Sequence, residues 1–296
     1  MKPKLRKIYL MIRKPIIANL VKISPVIATK VLYRMAFKRK INLKKPITFN
    51  EKLQWLKLYW QNPLVAKCAD KYDMREYVIE CGCSNALNEV YGMYTNVNDI
   101  EFDKFPNQFA IKGTHGCGYN IICTDKKLLD KDNTKIQLNK WLKERYSLVA
   151  AEIQYDKMLP KIICEKYIRG KNSEVPNDYK VYCFNGKPLF TMACVDRIDG
   201  KASYYFFDNN WCLLPYNDAS KNCKVIIEKP NSFSEMIEYC EKLTKPFPFV
   251  RMDFYDTDRG AILGEMTFTP AGALDSALSY DIDKLMGDLI NLPSKY

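Results

Sequence analysis

The sequence predicts an α+β fold: helices first, then a body of antiparallel strands with helices inserted among them. Three observations predict it. Apolar, β-prone runs come in pairs joined by tight polar links, at Asn185-Gly186, at Asn209-Asn210 and at Asp256-Thr257-Asp258-Arg259-Gly260, each a hairpin signal. Two Ser/Thr-x-x-Glu boxes, Thr48-Phe49-Asn50-Glu51 and Ser232-Phe233-Ser234-Glu235, mark helix starts. A chain of 296 residues with ordinary globular composition can also bury a large core in one or two domains.

Charge is placed unevenly. Residues 1–45 hold fourteen Lys or Arg and no acid, which leaves 32 bases against 34 acids elsewhere, so the net charge of +12 belongs to the N-terminal arm. Pro15 and Pro25 interrupt any long helix there, and short basic amphipathic helices are expected. No run of 18 apolar residues exists to span a bilayer. Three readings of the arm stand open: association with an anionic membrane surface, where each basic residue contributes about 1 kcal/mol, a solvated arm, or helices packed on the body. Nucleic acid is not expected as a partner, because no RNA- or DNA-reading motif accompanies the charge. Eleven cysteines, odd in number and scattered through apolar runs such as Ile162-Ile163-Cys164 with no secretory leader before them, read as reduced thiols of a cytoplasmic protein. With one histidine, His115, and one close cysteine pair, Cys81 and Cys83, zinc is not expected.

From Thr48 a helix carries Leu53, Leu56 and Tyr59 and ends at Asn62-Pro63; a second, over 64–80, contains Asp70-Lys71 and Arg75. Strands are expected at 87–94, 108–112 and 121–123, the last two flanking the loop Gly113-Thr114-His115-Gly116-Cys117-Gly118-Tyr119-Asn120. A helix follows at 132–146, then a strand at 161–168 entering a turn at Gly170. Strands at 178–184 and 188–195 meet at Asn185-Gly186. A helix from Ser232 to Lys245 leads into the hairpin of Phe247 to Pro270, and a last helix spans 281–290.

The hairpin carries the first candidate site. Alternation along a strand puts Arg251, Asp253 and Tyr255 on one face, and Asp253 and Glu265 can meet across the ladder. Opposed carboxylates destabilise a sheet unless a cation lies between them, and a hard ion such as Mg²⁺ needs only a few oxygen ligands from the protein. Two solvated carboxylates with Arg251 as counter-charge is the plainer reading. The loop after Lys112 is the second candidate: Gly113, Gly116 and Gly118 let backbone amides face a phosphate, Lys112 adds a point charge, and His115 adds an imidazole; a plain glycine-rich turn is the alternative. The strand through Glu165, Lys166, Tyr167 and Ile168 is either a buried core strand or a hinge whose backbone bonds a flat heterocycle. Asp178 and Lys180 share a face of the next strand and either reach the same pocket or pair with each other.

The order of these features resembles the ATP-grasp superfamily, and more closely its TupA-like branch, found among bacterial surface-polysaccharide genes. The segments that carry the resemblance are TFNEKLQWLKLY, DKYDMREYV, FAIKGTHGCGYNIIC, DYKVYCFNGKP and FPFVRMDFYD with GEMTFTP, from Thr48 to the C-terminus. It implies an ATP-grasp fold with two subdomains around antiparallel sheets, preceded by N-terminal helices. The expected bounds are a basic arm at 1–47, outside the resemblance, a helical region at 48–100, a small lid subdomain at 101–168 and a large subdomain with the metal site at 169–296. It further implies ATP and Mg²⁺, with Arg75 and Lys112 on phosphates, His115, Gly116 and Gly118 closing over them, and Glu165 to Ile168 on adenine. Asp178 and Lys180 join the nucleotide set, Asp253, Glu265 and Thr267 hold the metal, and Arg251 and His115 are the catalytic candidates. Thr267 departs from the Asn that many ATP-grasp proteins have there, and a hydroxyl is a poorer metal ligand than an amide oxygen.

The expected activity is a Mg²⁺- and ATP-dependent carboxylate–amine ligase, working through an acyl phosphate in surface-polysaccharide assembly. Its partners would be carboxylate- and amine-bearing substrates, a lipid-linked glycan, and the anionic inner membrane face through residues 1–45. The rival is a glycosyltransferase using a nucleotide-sugar, for which Asp256-Thr257-Asp258 supplies an Asp-x-Asp triplet. A nucleotide-binding accessory protein without turnover is a third reading.

Overall fold

The structure, a computed structural model, describes residues 3–169, 176–198 and 201–295; the turn expected at Gly170 lies outside them. Helices α1 (Pro3–Ile23) and α2 (Pro25–Phe37) form the arm. Pro15 does not interrupt α1, contrary to expectation. An interior proline costs about 3 kcal/mol, and Ile17 and Val21, just beyond it, are buried with Ala28, Leu32 and Ala151, which offsets that cost. Pro25 does divide the helices: it opens α2, where the Ser24 hydroxyl accepts from the Ile27 amide. Helix α3 (Phe49–Tyr59) starts at the expected capping box, Thr48 and Glu51 bonding each other's backbone amides.

The single helix expected over 64–80 is two helices, α4 (Pro63–Ala69) and α5 (Met74–Glu80). Asp70 breaks it. Its Oδ1 accepts from the amides of Tyr72 at 2.8 Å and Asp73 at 2.9 Å, offering the chain a turn in place of helical bonds, and its Oδ2 takes the Thr114 hydroxyl at 2.7 Å. There follow β1 (Val90–Tyr94), β2 (Phe109–Gly113), β3 (Asn120–Cys123), α6 (Lys131–Lys143), the short α7 (Ser147–Ala150), β4 (Ile162–Lys166), β5 (Asp178–Phe184), β6 (Lys187–Ile198), β7 (Lys201–Asp208), β8 (Leu213–Leu214), α8 (Asp218–Lys221), α9 (Phe233–Leu243), β9 (Phe249–Thr257), β10 (Gly260–Thr267) and α10 (Tyr280–Asp288). At the β5–β6 turn Asn185 and Gly186 have φ of 49° and 80°, the left-handed pair that a two-residue hairpin requires.

The chain divides into two compact units. One comprises Met1–Pro63, Arg145–Lys157 and Thr269–Tyr296 and is helical. In it Asp283 of α10 accepts from both the backbone and the side-chain nitrogens of Asn50, each at 2.9 Å. Lys57 is buried with its ammonium on the Ala150 carbonyl, and Gln54 holds the carbonyls of Gly272 and Ala273.

The other unit comprises Leu64–Glu144 and Met158–Phe268. It contains two antiparallel sheets, one of strand order β1-β4-β2-β3 and one of order β10-β9-β5-β6-β7-β8. Under the first, Phe102, Phe105, Phe109, Leu138 and Trp141 form a core with α6. On the second, α9 buries Phe233, Met236, Cys240 and Leu243. The expected capping box at Ser232 does not form: the Ser232 hydroxyl donates to Asp256 Oδ1 at 2.7 Å, and Glu235 accepts from the Ala261 amide at 3.0 Å. Among the described residues no helix is long and apolar enough to cross a membrane, and all eleven cysteines are free thiols.

Candidate functional site

The site is built on the six-stranded sheet of the second unit. Pairing between β9 and β10 runs regularly from Gly260↔Thr257 to Leu263↔Phe254 and then shifts by one residue, so that Glu265 and not Gly264 stands opposite Asp253. This bulge puts the two carboxylates on one face. The next strand brings Lys180 opposite Asp253 and Asp178 opposite Tyr255.

Each acid here has a basic partner. Arg251 donates through Nε and Nη2 to the two Asp253 oxygens at 2.6 and 2.7 Å, and Lys180 bonds Asp253 and Asp178 at 2.5 Å each. Lys71, from the turn that Asp70 makes, reaches Glu265 at 3.1 Å. Burial pushes the Glu265 carboxyl up, but Lys71, Lys180 and Arg251 outweigh it and hold the group well below the usual carboxylate range. For Asp253 burial dominates and the shift is upward, against the pull of Arg251 and Lys180. Burial works against the charge on Lys180 too, yet Asp253 and Asp178 raise it above the ordinary lysine value.

The donor set fits a hard divalent cation. Two carboxylates offer oxygen ligands and the Glu265 side chain is 28% exposed, so water and phosphate oxygens could complete a shell. Thr267 lies beside them, its hydroxyl 3.3 Å from Glu265 Oε1 and 3.3 Å from Arg251 Nη2. Among the described residues no group of three or more His, Cys, Asp or Glu side chains forms a metal cluster.

Lys112 of β2 and Glu165 of β4 form an ion pair on the four-stranded sheet, and the Tyr255 phenol of β9 is raised above its ordinary value by burial first, then by the charges of Asp178, Glu265 and Glu165, against the pull of Lys180. After Lys112 the glycine-rich loop closes back on itself: the Gly113 amide donates to the Tyr119 carbonyl at 2.9 Å, and Gly118 has φ of 78°. Lys71 holds the Gly116 carbonyl at 2.8 Å while also meeting Glu265. One ammonium therefore links the loop to the carboxylates.

Two more of the expected residues have partners within the protein. His115 is buried, its Nε2 2.9 Å from the Trp141 carbonyl and its ring 5.5 Å from that of Tyr119. A carbonyl can only accept, so Nε2 carries the proton, and burial keeps the ring neutral by lowering its pKa. Arg75 donates to the Asn88 carbonyl at 2.9 Å, beside the 165–168 segment. There the Lys166 amide donates to the Glu89 carbonyl and its own carbonyl accepts from Asn88 Nδ2 at 2.8 Å, while the Lys166 side chain is exposed with Glu89 at 3.6 Å.

Lys71, Asn88 and Tyr255 are the residues that sequence reasoning left without a role. The pair Asp70-Lys71 was visible, but the turn that aims Lys71 depends on Thr114, 44 positions away. In the Asp256-Thr257-Asp258 triplet, Asp256 and Thr257 are taken up locally. Asp256 accepts from the Asn231 and Ser232 amides and the Ser232 hydroxyl, so its carboxylate anchors the start of α9.

Comparison with known proteins matches the TupA-like ATPgrasp family over residues 51–291. Among solved structures, D-alanine–D-alanine ligase from Bacillus anthracis shares 16% identity at a TM-score of 0.42, over 82% of this chain and 68% of that one. The corresponding ligase from Helicobacter pylori shares 16% at 0.41, over 76% and 61%. The ATP-grasp ligase PsnB complexed with minimal precursor shares 14% at 0.42, over 81% and 66%. No curated protein matches.

Proposed function

Because this chain belongs to the TupA-like ATP-grasp family, we propose that it is an ATP- and Mg²⁺-dependent ligase joining a carboxylate to an amine. The observation that carries the reading is the in-register pair Asp253 and Glu265, ringed by Lys71, Lys180 and Arg251. In this reading Asp253 and Glu265, with Thr267 beside them, hold Mg²⁺, which supplies charge neutralisation on the phosphates. With the acids so engaged, the bases that pair with them here would be able to turn toward the nucleotide. Lys112, Lys180 and Arg251 face developing phosphate charge, Lys71 carries the glycine-rich loop with it, and the Glu165–Ile168 backbone bonds the base.

The reaction would begin when a substrate carboxylate oxygen bonds to the γ-phosphorus as the bond to ADP breaks. The amine nitrogen then bonds to the acyl carbon of that acyl phosphate, phosphate leaves with the C–O electrons, and the amine's extra proton passes to solvent. No side-chain nucleophile is required, which suits a site of bases, amides and carboxylates. The lid at 101–168 and the metal-bearing subdomain at 169–296 are the working parts of this proposal. Its setting is cytoplasmic surface-polysaccharide assembly, with residues 1–45 on the anionic membrane face near a lipid-linked glycan. Support for the arm's part is its acid-free charge together with exposed Ile16, Ile23 and Ile27.

The test is calorimetric titration with ATP, with and without Mg²⁺, on wild type and Glu265→Gln. Mg²⁺-dependent binding, weakened about tenfold or more in the variant, is the expected result. Binding of UDP-sugars in place of ATP would move the assignment to a glycosyltransferase. ATP binding with no ADP release across carboxylate and amine pairs would leave an accessory protein.

A further inference from the structure

Asn88 is 4% exposed and lies between two cations and the hinge. Its backbone carbonyl accepts from Arg75, its side-chain Oδ1 from Arg259 Nη2 at 3.4 Å, and its Nδ2 donates to the Lys166 carbonyl at 2.8 Å. These partners fix the orientation of the amide. A carbonyl can only accept and a guanidinium can only donate, so a flipped Asn88 would oppose like with like at both ends. The Lys166 backbone is thus held at its nitrogen by Glu89 and at its oxygen by Asn88. A carbonyl oxygen has two lone pairs, and Asn88 occupies one.

We infer that Asn88 sets the purine preference of the site, by aiming the second lone pair of the Lys166 carbonyl at an exocyclic amino group; the inference rests on the nucleotide reading above. Adenine has a donor at its 6-position. Hypoxanthine and guanine have an oxygen there, which a fixed acceptor repels. Asn88 is a positioning residue, Lys166 supplies the contact, and Arg259 keeps Asn88 from turning over.

The test measures ATP and ITP binding by calorimetry in the presence of Mg²⁺, on wild type, Asn88→Asp and Arg259→Ala. Aspartate keeps the shape of Asn88 and its bond to Arg259 but loses the donor to Lys166. Wild type is expected to prefer ATP by about tenfold, and Asn88→Asp to lose about three- to tenfold in ATP affinity with ITP unchanged. Arg259→Ala, at an exposed position, should move the ratio the same way by less. Equal losses for both nucleotides, or an unchanged ratio, would make Asn88 a structural tether only and overturn the inference. Wild type binding both nucleotides equally would overturn it while leaving the nucleotide reading intact, whereas wild type binding neither would overturn that reading itself.

Discussion

Glu265 stands directly across the ladder from Asp253 because β10 carries an extra residue, Gly264, between the regular pairs and the site. A side chain there would be crowded: a Cβ on Gly264 would lie 3.0 Å from Tyr255 Cε2 and 3.4 Å from the Asp253 carbonyl. Gly264→Ala is therefore expected to disturb the carboxylate pair. Overpacking of this kind costs about 1–3 kcal/mol, and the loss should appear in Mg²⁺-dependent ATP affinity as about tenfold. Titration beside a thermal melt checks it; unchanged affinity would mean that the bulge tolerates a side chain.

Buried thiols predict an alkaline weakness. Cys68, Cys164 and Cys240 are each at most 1% exposed, and burial pushes all three thiols above their ordinary value of 9.0. The folded chain then keeps protons that the unfolded chain releases. This stabilisation is fully present below pH 9 and is lost as pH rises above it, by about 1.4 kcal/mol per pH unit for each thiol. Melts in reductant from pH 7 to 10 should fall steeply above pH 9. Cys164→Ala should flatten that fall, and an unaltered slope would place its origin elsewhere.

Asp256 stitches the hairpin turn to the start of α9, and Glu235 returns the contact through the Ala261 amide. Asp256→Ala leaves the Ser232 donors without this acceptor and is expected to cost about 1–3 kcal/mol of stability. Nucleotide affinity should stay within twofold of wild type, roughly the scatter of distant, independent sites. Loss of UDP-sugar binding in this variant, with its fold intact, would revive the glycosyltransferase.

For the arm, wholesale removal is a poor test, since Ile17, Val21, Ala28 and Leu32 are core residues. Charge and surface can be altered instead. Lys14, Lys22, Lys30 and Arg34 are exposed, as are Ile23 and Ile27 at the α1–α2 junction. Replacing the four bases with Gln should weaken binding to vesicles rich in phosphatidylserine by about 4 kcal/mol at low salt, and Ile23→Ser with Ile27→Ser should weaken it further. Co-sedimentation at 50 and 300 mM salt measures both; binding that ignores charge and salt would remove the membrane from the proposal.

The hairpins and the first helix start were legible because their signals are local. Asn185-Gly186 needs only two residues with positive φ, and Thr48 and Glu51 cap within one turn. The type and strand position of Asp178, Lys180, Arg251, Asp253 and Glu265 were legible, and so were the family segments. Three things were not. The break at Asp70 depends on Thr114, the failure of the Ser232 cap depends on Asp256, and the orientation of His115 depends on Trp141; each is a partner distant in sequence competing with a local preference. By itself the sequence determined which neighbouring strands form hairpins and which charges they carry, since alternation and turn chemistry act over a few residues, whereas the pairing of β4 with β1 and β2 and of β5 with β9 came from the tertiary structure. Only the tertiary structure decided that Glu265 meets Asp253 through a bulge and that Lys71 joins the glycine-rich loop to that pair, because register and long-range contacts are set by packing across the sheet.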